Sequence, residues 1–220
     1  MNKKILVGIP CLYGANHTHL SIQSVINEAD VLIVNNGASQ DVKQVIDNFT
    51  CHKIHNEQNI FVNPAWNQII EFFLAGEWDK LIIMNSDIIM EAGWSKYLKD
   101  GIIPIPSDGT IENPITVTEG TPGVFICLDR AMVNIIYPIP DYVKIWFGDQ
   151  YLFTVLRQLG YETIVLPGLI ANHYHGGSQN VQRLPGISEL IEEDKVNWVK
   201  FGAQDVQNRV QEIQQLRLEQ

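Results

Sequence analysis

The chain has 220 residues, 45% of them hydrophobic and 18% charged, a balance typical of a folded globular domain with a substantial core. Its formal net charge of −10 argues against sequence-independent binding to nucleic acid or to an anionic membrane surface. The sequence shows no signal peptide and no apolar run of membrane-spanning length, so we expect a soluble, cytoplasmic protein.

Apolar runs alternate with helical patterns over the first hundred residues. Continuous apolar runs at 5–9 and 31–34 predict buried strands, and so does the apolar run at 81–90, which is interrupted only by Asn-Ser-Asp. Between and after these runs, apolar residues repeat at helical spacing, and Thr18 and Asn63 are the expected N-caps of the first and third helices. This alternation favours an α/β domain with a largely parallel sheet.

The second half of the chain predicts fewer regular elements. Residues 99–121 are rich in Pro, Gly, Ser, Asp and Thr, and are expected to form a loop. Strands are predicted at 124–128 and 163–166, with a helix between them. From about residue 187 the chain is predicted to form a polar helix with a thin apolar stripe, consisting of Val199, Val206, Val210 and Ile213. We therefore divide the chain into a domain at 1–180 and a C-terminal helical extension at 181–220. The stripe could pack on the domain, which is the plainest interpretation, form a helix pair between subunits, or meet an acceptor. We expect the extension to contribute to self-association.

Polar residues follow several of the predicted strands, where an open parallel sheet binds its ligands. Pro10, Asn35–Asn36 and Asn85–Asp87 are expected on this edge. A carboxylate such as Asp87 at a strand end suits Mg²⁺ or Mn²⁺, which keep water ligands and take phosphate oxygens from a substrate. The alternative is a turn in which Asn and Asp bond their own backbone, and the stretch alone leaves both interpretations open.

Two later positions could also carry chemistry. His173 and His175 at strand spacing would point to the same face and could bind a metal, although a glycine-flanked surface loop is the more common context. Asp149 opens a predicted helix, where the helix dipole alone favours an acidic residue. GxGxxG, P-loop, GxSxG and HExxH motifs are absent, so a phosphate group, if one binds, would need a metal held by carboxylates or His.

Taken in order, these segments resemble the family 2 inverting glycosyltransferases of the GT-A fold, from residue 5 to about residue 178. Six segments are similar to motifs of that family: the opening strand ending at Pro10, VNNGAS at 34–39, NIF and AWNQ within 59–68, NSD within 81–94, Gly148-Asp149 with Gly160-Tyr161 eleven residues beyond Asp149, and Pro167, His173 and Gly176-Gly177-Ser178. Each motif is weak alone, but their shared order makes chance an unattractive explanation.

The resemblance implies a Rossmann-like fold and a metal-dependent sugar transfer with inversion. Asp87 and His173 would bind Mn²⁺ or Mg²⁺, which bridges the donor diphosphate, and Asp149 would be the general base. A UDP-sugar is the favoured donor, and the acceptor carries an unknown hydroxyl group. The other implied positions bind the nucleotide-sugar (Pro10, Tyr13, Asn35, Asn36, Trp66, Asn67, Asn85 and Ser86) or lie on the acceptor side (Trp146 and His175).

The sequence also departs from the family pattern, at Asn35, Ile60, Trp66, Asn85 and Gly148. These departures keep open a non-catalytic nucleotide- or sugar-binding protein on the same fold. A more distant alternative is a sugar-phosphate nucleotidyltransferase. That class would need a glycine-rich, basic loop after the first strand, and residues 11–16 contain no Lys or Arg.

Overall fold

The computed structural model describes residues 4–99, 102–104, 110–112, 115–117, 125–165, 171–173 and 184–219. Its strands are β1 (Ile5–Cys11), β2 (Asp30–Asn36), β3 (His52–Asn56), β4 (Lys80–Met84), β5 (Ile88–Met90), β6 (Ile102–Pro104), β7 (Thr110–Glu112), β8 (Ile115–Val117), β9 (Phe125–Asp129), β10 (Thr163–Val165) and β11 (Ala171–His173). Its helices are α1 (Ala15–Val25), α2 (Gln40–Asp47), α3 (Val62–Ala75), α4 (Lys96–Lys99), α5 (Arg130–Ile136), α6 (Gly148–Gln158), α7 (Ile187–Asn197) and α8 (Ala203–Leu218). A π-helical turn, Trp198–Gly202, joins α7 to α8.

Within the described residues, seven strands form a mixed central sheet in the order β3–β2–β1–β4–β9–β8–β10. Strands β1 to β4 are parallel to one another. Strand β9 runs antiparallel between β4 and β8, and β10 is parallel to β8. The predicted sheet, mostly parallel and flanked by helices, is confirmed. Strand β5 leaves this sheet and pairs antiparallel with β11.

The central strands are buried on both faces because helices cover each side of the sheet. Successive residues of β1 point to opposite faces, so Leu6 packs in one apolar cluster and Ile5 and Val7 pack in the other. Helices α3, α5, α6 and α8 contribute to the first cluster, and α1 and α2 contribute to the second. Burying a side chain of this size contributes about 1.5–3 kcal/mol. Burial on both faces explains why these strands are continuous apolar runs in the sequence.

Two predictions about strands are corrected. The run at 81–90 is not one strand, because β4 ends at Met84 and the N–H of Ile88 donates to the carbonyl of Asn85 across a turn, at 3.2 Å. Asn, Ser and Asp favour turns, and here this preference outweighs the apolar flanks. The loop predicted at 99–121 contains β6, β7 and β8, since strands of three residues are determined by their pairing partners and show no periodic pattern.

The two predicted N-caps are also wrong. Helix α1 begins at Ala15, ahead of Thr18, and α3 begins at Val62, ahead of Asn63. Neither helix has a side-chain hydrogen bond at its cap. The amide of Asn63 binds a distant loop instead, and this tertiary contact explains why the local capping pattern was misleading.

The C-terminal helix begins at Ile187, close to the predicted start. Three residues of the predicted stripe, namely Val206, Val210 and Ile213, are buried in the first cluster, but Val199 is 84% exposed. Val199 lies in the π-helical turn, where the wider winding changes the helical phase between α7 and α8. The predicted stripe therefore packs on the domain only in α8.

Candidate active site

A cleft of about 300 Å³ opens at the carboxyl ends of β1, β2 and β4. Residues 10–13 and Asn36 form the side nearest the sheet, and residues 85–87 lie in the turn after β4. The N-terminal part of α3 and the segment before it contribute Asn59, Phe61, Val62, Asn63 and Trp66. The opposite wall consists of Ile145, Trp146, Asp149 and, from α7, Ile191.

Most of the predicted site residues come together in this cleft. Nine of them line it, namely Pro10, Tyr13, Asn36, Trp66, Asn85, Ser86, Asp87, Trp146 and Asp149. They come from five separate parts of the chain, and the carboxyl ends of β1, β2 and β4 bring three of these parts together. Their chemical roles stay predictions.

Asn35 and Asn67 are not among the residues that line the cleft. The amide nitrogen of Asn35 lies 3.1 Å from Nδ1 of His55, and its oxygen accepts the N–H of Ala38 at 3.0 Å. Asn67 donates to the carbonyl of Ile139 and accepts the N–H of the same residue, both at 2.9 Å. Both side chains thus hold the backbone around the cleft, and their predicted contact with the nucleotide-sugar stays untested.

Asn36 links the end of β2 to the segment before α3. Its side-chain oxygen accepts the N–H of Ile60 at 3.0 Å, and its nitrogen donates to the carbonyl of Phe61 at 3.1 Å. The same nitrogen donates to the side-chain oxygen of Asn59 at 3.0 Å. Because these bonds use both ends of its amide, Asn36 fixes the shape of the cleft beside Phe61, a non-glycine residue with a φ of 69°.

Asp87 is the carboxylate in the turn between β4 and β5, and it is 3% exposed. Strand β11 pairs with β5 so that His173 lies opposite Ile88, next to Asp87 along the chain. The side chain of His173 lies outside the described part of the structure, as does the whole of His175. Among the described residues, no three His, Cys, Asp or Glu side chains form a cluster that could hold a metal. One carboxylate fits the way Mg²⁺ binds, through one or two carboxylates plus substrate phosphates, and not a cage made only of protein ligands.

Asp149 lies in the first turn of α6, and its carboxylate accepts the N–H of Gln150 at 2.8 Å. The preceding segment is held against α3. Asn63 donates from its side-chain nitrogen to the carbonyls of Val143 and Trp146, both at 3.0 Å, and its backbone N–H donates to the carbonyl of Lys144 at 2.9 Å. These bonds determine where α6 begins and therefore where Asp149 meets the cleft.

No protein-family profile matches the sequence, and no curated protein matches it. Solved structures do match the fold. Mannosyltransferase PcManGT from Pyrobaculum calidifontis, in complex with GDP-Man and Mn²⁺, aligns with a TM-score of 0.62 and 10% identity, over 96% of this chain and 73% of that one. Glucosyl-3-phosphoglycerate synthase from Mycobacterium tuberculosis, in complex with Mn²⁺, UDP-Glc and phosphoglyceric acid, aligns with a TM-score of 0.58 and 12% identity, over 87% and 78%. Residues 1–349 of S. aureus TarS align with a TM-score of 0.51 and 15% identity, over 69% and 54%.

The chain has the GT-A glycosyltransferase fold. The expectation of this fold from the sequence is thereby confirmed. This chain spans about half of the TarS fragment and about three quarters of the other two proteins. Within the described residues, no helix combines the length and the apolar character needed to cross a membrane.

The charged side chains in the described lining of the cleft are all acidic. Its described lining residues include the carboxylates of Asp87 and Asp149 but no Lys or Arg. Cys11 also lines the cleft, and burial raises the pKa of its thiol far above the usual range, so this group adds no charge near neutral pH. A diphosphate would meet two carboxylates here, and like charges at close range are repulsive. A phosphate group here would therefore meet no cationic side chain among the described lining residues.

Asn63 and Ile191 are among the residues that shape the cleft and that sequence reasoning does not assign to it. The sequence predicts a helix cap at Asn63, but its partners in the structure lie about 80 residues away in the sequence. Ile191 lies on the C-terminal helix, which the sequence places in an extension beyond the domain. Neither residue belongs to a local motif, so only the tertiary structure could reveal these contributions.

Proposed function

We propose that the chain is a glycosyltransferase that moves a sugar from a nucleotide-diphospho-sugar to an acceptor hydroxyl group, with inversion at the anomeric carbon. The observation that carries the proposal is the meeting of Asp87 and Asp149 in one cleft at the carboxyl edge of a GT-A sheet. Two of the three solved structures described above hold Mn²⁺ and a nucleotide-sugar, which supports a nucleotide-sugar donor and a divalent cation for this chain.

Asp87 and His173 are the residues that would hold Mn²⁺ or Mg²⁺. A cation bound there would neutralise charge on the leaving diphosphate. The buried strand β4 holds Asp87 at the edge of the sheet, and the pairing of β5 with β11 brings the backbone of His173 beside it. The absence of Lys and Arg from the described lining supports a donor that binds together with its cation.

Asp149 would act as the general base, accepting the proton of the acceptor hydroxyl as its oxygen attacks the anomeric carbon. Its position in the first turn of α6 and on the cleft wall supports this role. Trp146 is 51% exposed beside it and offers an apolar ring face to the acceptor side. Pro10, Tyr13, Asn36, Trp66, Asn85 and Ser86 would contact the nucleotide-sugar, for which we favour a UDP-linked hexose.

Calorimetry and transfer assays with UDP-, GDP- and dTDP-sugars, each with and without Mn²⁺, test the proposal. We expect one nucleotide to bind only with the cation, and Asp87→Asn to weaken that binding. Asp149→Asn should keep binding while transfer or donor hydrolysis falls by about 10²–10⁴-fold. Asp47→Asn changes an exposed carboxylate on α2 and serves as the matched control.

Each outcome of these assays has a defined meaning. Wild-type turnover in Asp149→Asn would contradict the assigned base. Binding without turnover over a broad acceptor panel would favour the non-catalytic binding protein, and no binding of any nucleotide would contradict both functions.

Three further expectations belong to the proposal. They are a domain boundary near residue 180, a cytoplasmic location and self-association through the C-terminal helix. Exposed apolar side chains on that helix, including Val196 and Val199, support the last expectation. A monomer by light scattering at micromolar concentration would contradict it.

A further inference from the structure

Asp194, on α7, is a fully buried carboxylate that the proposed reaction does not use. One of its oxygens accepts the N–H of Lys144 at 2.9 Å, and the other accepts those of Ile145 at 2.7 Å and Trp146 at 2.9 Å. Burying a carboxylate is costly unless hydrogen bonds replace its lost hydration, and charge-assisted bonds of this kind are among the strongest available. The bonds of Asp194 are therefore strong restraints on the backbone of these three consecutive residues.

The restrained residues form part of the cleft wall. Ile145 and Trp146 both line the cleft, and Asp149 follows three residues after Trp146. Any movement of this backbone would shift the exposed ring of Trp146 and the start of α6. Asp194 thus controls the position of groups in the cleft although it does not line the cleft itself.

Other contacts from the same C-terminal helix restrain the ends of the loop at 142–147. The side-chain nitrogen of Asn197 donates to the carbonyl of Tyr142 at 3.0 Å. The ring of Trp198 stacks on Phe147 with centroids 5.5 Å apart and planes within 8°. Phe147 has a φ of 65°, a left-handed conformation that persists in a non-glycine residue only when its surroundings impose it.

Helix α3 restrains the loop from its other side, through the bonds of Asn63 to Val143, Lys144 and Trp146. The segment 142–147 is therefore held between an early helix and the C-terminal helix. A rigid support of this kind matters for catalysis, because misplacement of reacting groups by about 1 Å can cost about 10²-fold in rate.

We propose that Asp194 is a positioning residue of the active site, which holds residues 144–146 so that Trp146 and Asp149 present their side chains to the acceptor. The C-terminal helix, although it follows the proposed boundary near residue 180, is then a component of the site. The inference rests on the proposed function for its catalytic meaning, but the restraint on the loop can be measured without any activity.

Fluorine NMR of protein labelled with 5-fluorotryptophan tests the restraint directly. The chain has five tryptophans, and Trp146→Phe assigns the resonance of Trp146. In Asp194→Asn, an N–H₂ group replaces one acceptor oxygen, so we expect the Trp146 resonance to shift or broaden while that of Trp94, in the opposite cluster, stays unchanged. Glu193→Gln makes the same change of charge at the neighbouring exposed position and should leave all five resonances in place.

Kinetics then test the catalytic meaning in the whole 220-residue chain. We expect Asp194→Asn to raise the acceptor KM and lower kcat, together by about tenfold or more, while affinity for the donor nucleotide with Mn²⁺ stays within about twofold. Rates are expressed per folded molecule at a temperature well below unfolding. If Asp194→Asn does not fold, Asn197→Ala removes one bond of the same loop and should change the same parameters in the same direction.

Two results would overturn the proposal. The first is an unchanged Trp146 resonance in a folded Asp194→Asn protein. The second is a lower melting temperature with unchanged KM and kcat per folded molecule, which would reduce Asp194 to a purely structural role. A changed resonance in a protein that transfers no sugar would contradict the proposed function and leave the restraint on the loop established.

Discussion

At the level of single residues, the cleft wall depends on a close approach between Gly148 and Asn63. A Cβ atom added to Gly148 would lie 2.2 Å from the side-chain oxygen of Asn63. Asn63 cannot turn away easily, because its nitrogen already binds two carbonyls of the loop before α6. The resemblance to the glycosyltransferases singled out Gly148 for lacking an acidic side chain, and the structure gives a steric reason for the glycine.

Gly148→Ala is therefore expected to destabilise the protein. Helix propensity alone would favour alanine by about 1 kcal/mol, but forcing a methyl group into this contact costs about 1–3 kcal/mol and loosens the bonds of Asn63. We expect a net loss in the free energy of unfolding, measured in urea. Gln150→Ala, at an exposed position of the same helix, should stay within about 0.5 kcal/mol of the wild type. A variant Gly148→Ala as stable as Gln150→Ala would show that Asn63 can move.

At the level of elements, α3 carries Asn63 and Trp66 to the cleft, and its other end is held by Arg130. The guanidinium group of Arg130 donates to four carbonyls at and beyond the C-terminus of α3, namely those of Phe73 (3.0 Å), Leu74 (3.3 Å), Gly76 (2.5 Å) and Trp78 (2.9 Å). The last carbonyls of a helix have no partner within the helix. Arg130 donates to two of them, those of Leu74 and Phe73, the second of which also accepts the N–H of Gly76 at 3.2 Å. Its guanidinium carbon also lies 4.7 Å from the ring centroid of Phe73.

Arg130→Ala should lower the free energy of unfolding by about 2–4 kcal/mol, because it leaves several carbonyls without their charged donor. Chemical denaturation followed by circular dichroism measures this loss. Arg217→Ala is the matched control, since Arg217 is exposed and its described hydrogen bond is a single one to the hydroxyl of Tyr161. Equal losses in the two variants would mean that the Arg130 contacts are weak in solution.

The elements that could be predicted from the sequence are those whose pattern is local. Buried parallel strands are continuous apolar runs, so β1, β2 and β4 were evident, and their order gave the sheet and its binding edge. The short strands β6 to β8 are not predicted, because their pairing partners decide them. The turn at 85–87 is merged into one predicted strand, because turn geometry decides it.

The candidate site shows the same limit. Residues at strand ends or in family-like motifs, such as Asp87 and Asp149, were predicted, and they do meet in one cleft. The residues that support the cleft wall, Asn63 and Asp194, were not, since their partners lie about 50 to 80 residues away in the sequence. No residue type near them in the sequence indicates such contacts.

At the level of the whole molecule, burial on both sides of the sheet makes the free energy of unfolding depend on pH in the alkaline range. Cys11 is fully buried on one side and Tyr151 is 4% exposed on the other. Burial raises the pKa of both groups, that of Tyr151 to about 12, because the low-dielectric core disfavours their charged forms. The folded protein thus keeps these protons at pH values where the unfolded chain has lost them. The stability that each group contributes is complete below its unfolded pKa, about 8.5 for Cys and about 10 for Tyr, and is lost as the pH rises further.

We therefore expect the free energy of unfolding to fall above about pH 9, with each such group contributing about 1.4 kcal/mol per pH unit. Cys11→Ser removes one titrating group, and a hydroxyl there can still donate to the carbonyl of Ile9, as the thiol does. Between about pH 9 and 10, the free energy of unfolding of the variant should fall less steeply with pH than that of the wild type. The difference between the two slopes should correspond to about one proton. Parallel curves for the two proteins, measured by urea unfolding, would contradict the raised pKa of Cys11.

The contacts of Asp194 also bear on how a growing chain acquires its site. Strand β9 ends at Asp129, about 65 residues before Asp194, which takes roughly 3–13 s to synthesise at typical rates of translation. At the start of that interval the strands β1 to β4 and β9 have been synthesised. The loop at 142–147 is added during the interval and lacks, until its end, the carboxylate that holds it. The nascent protein is therefore expected to build its sheet first and to become competent for an acceptor only after the helix bearing Asp194 has emerged from the ribosome.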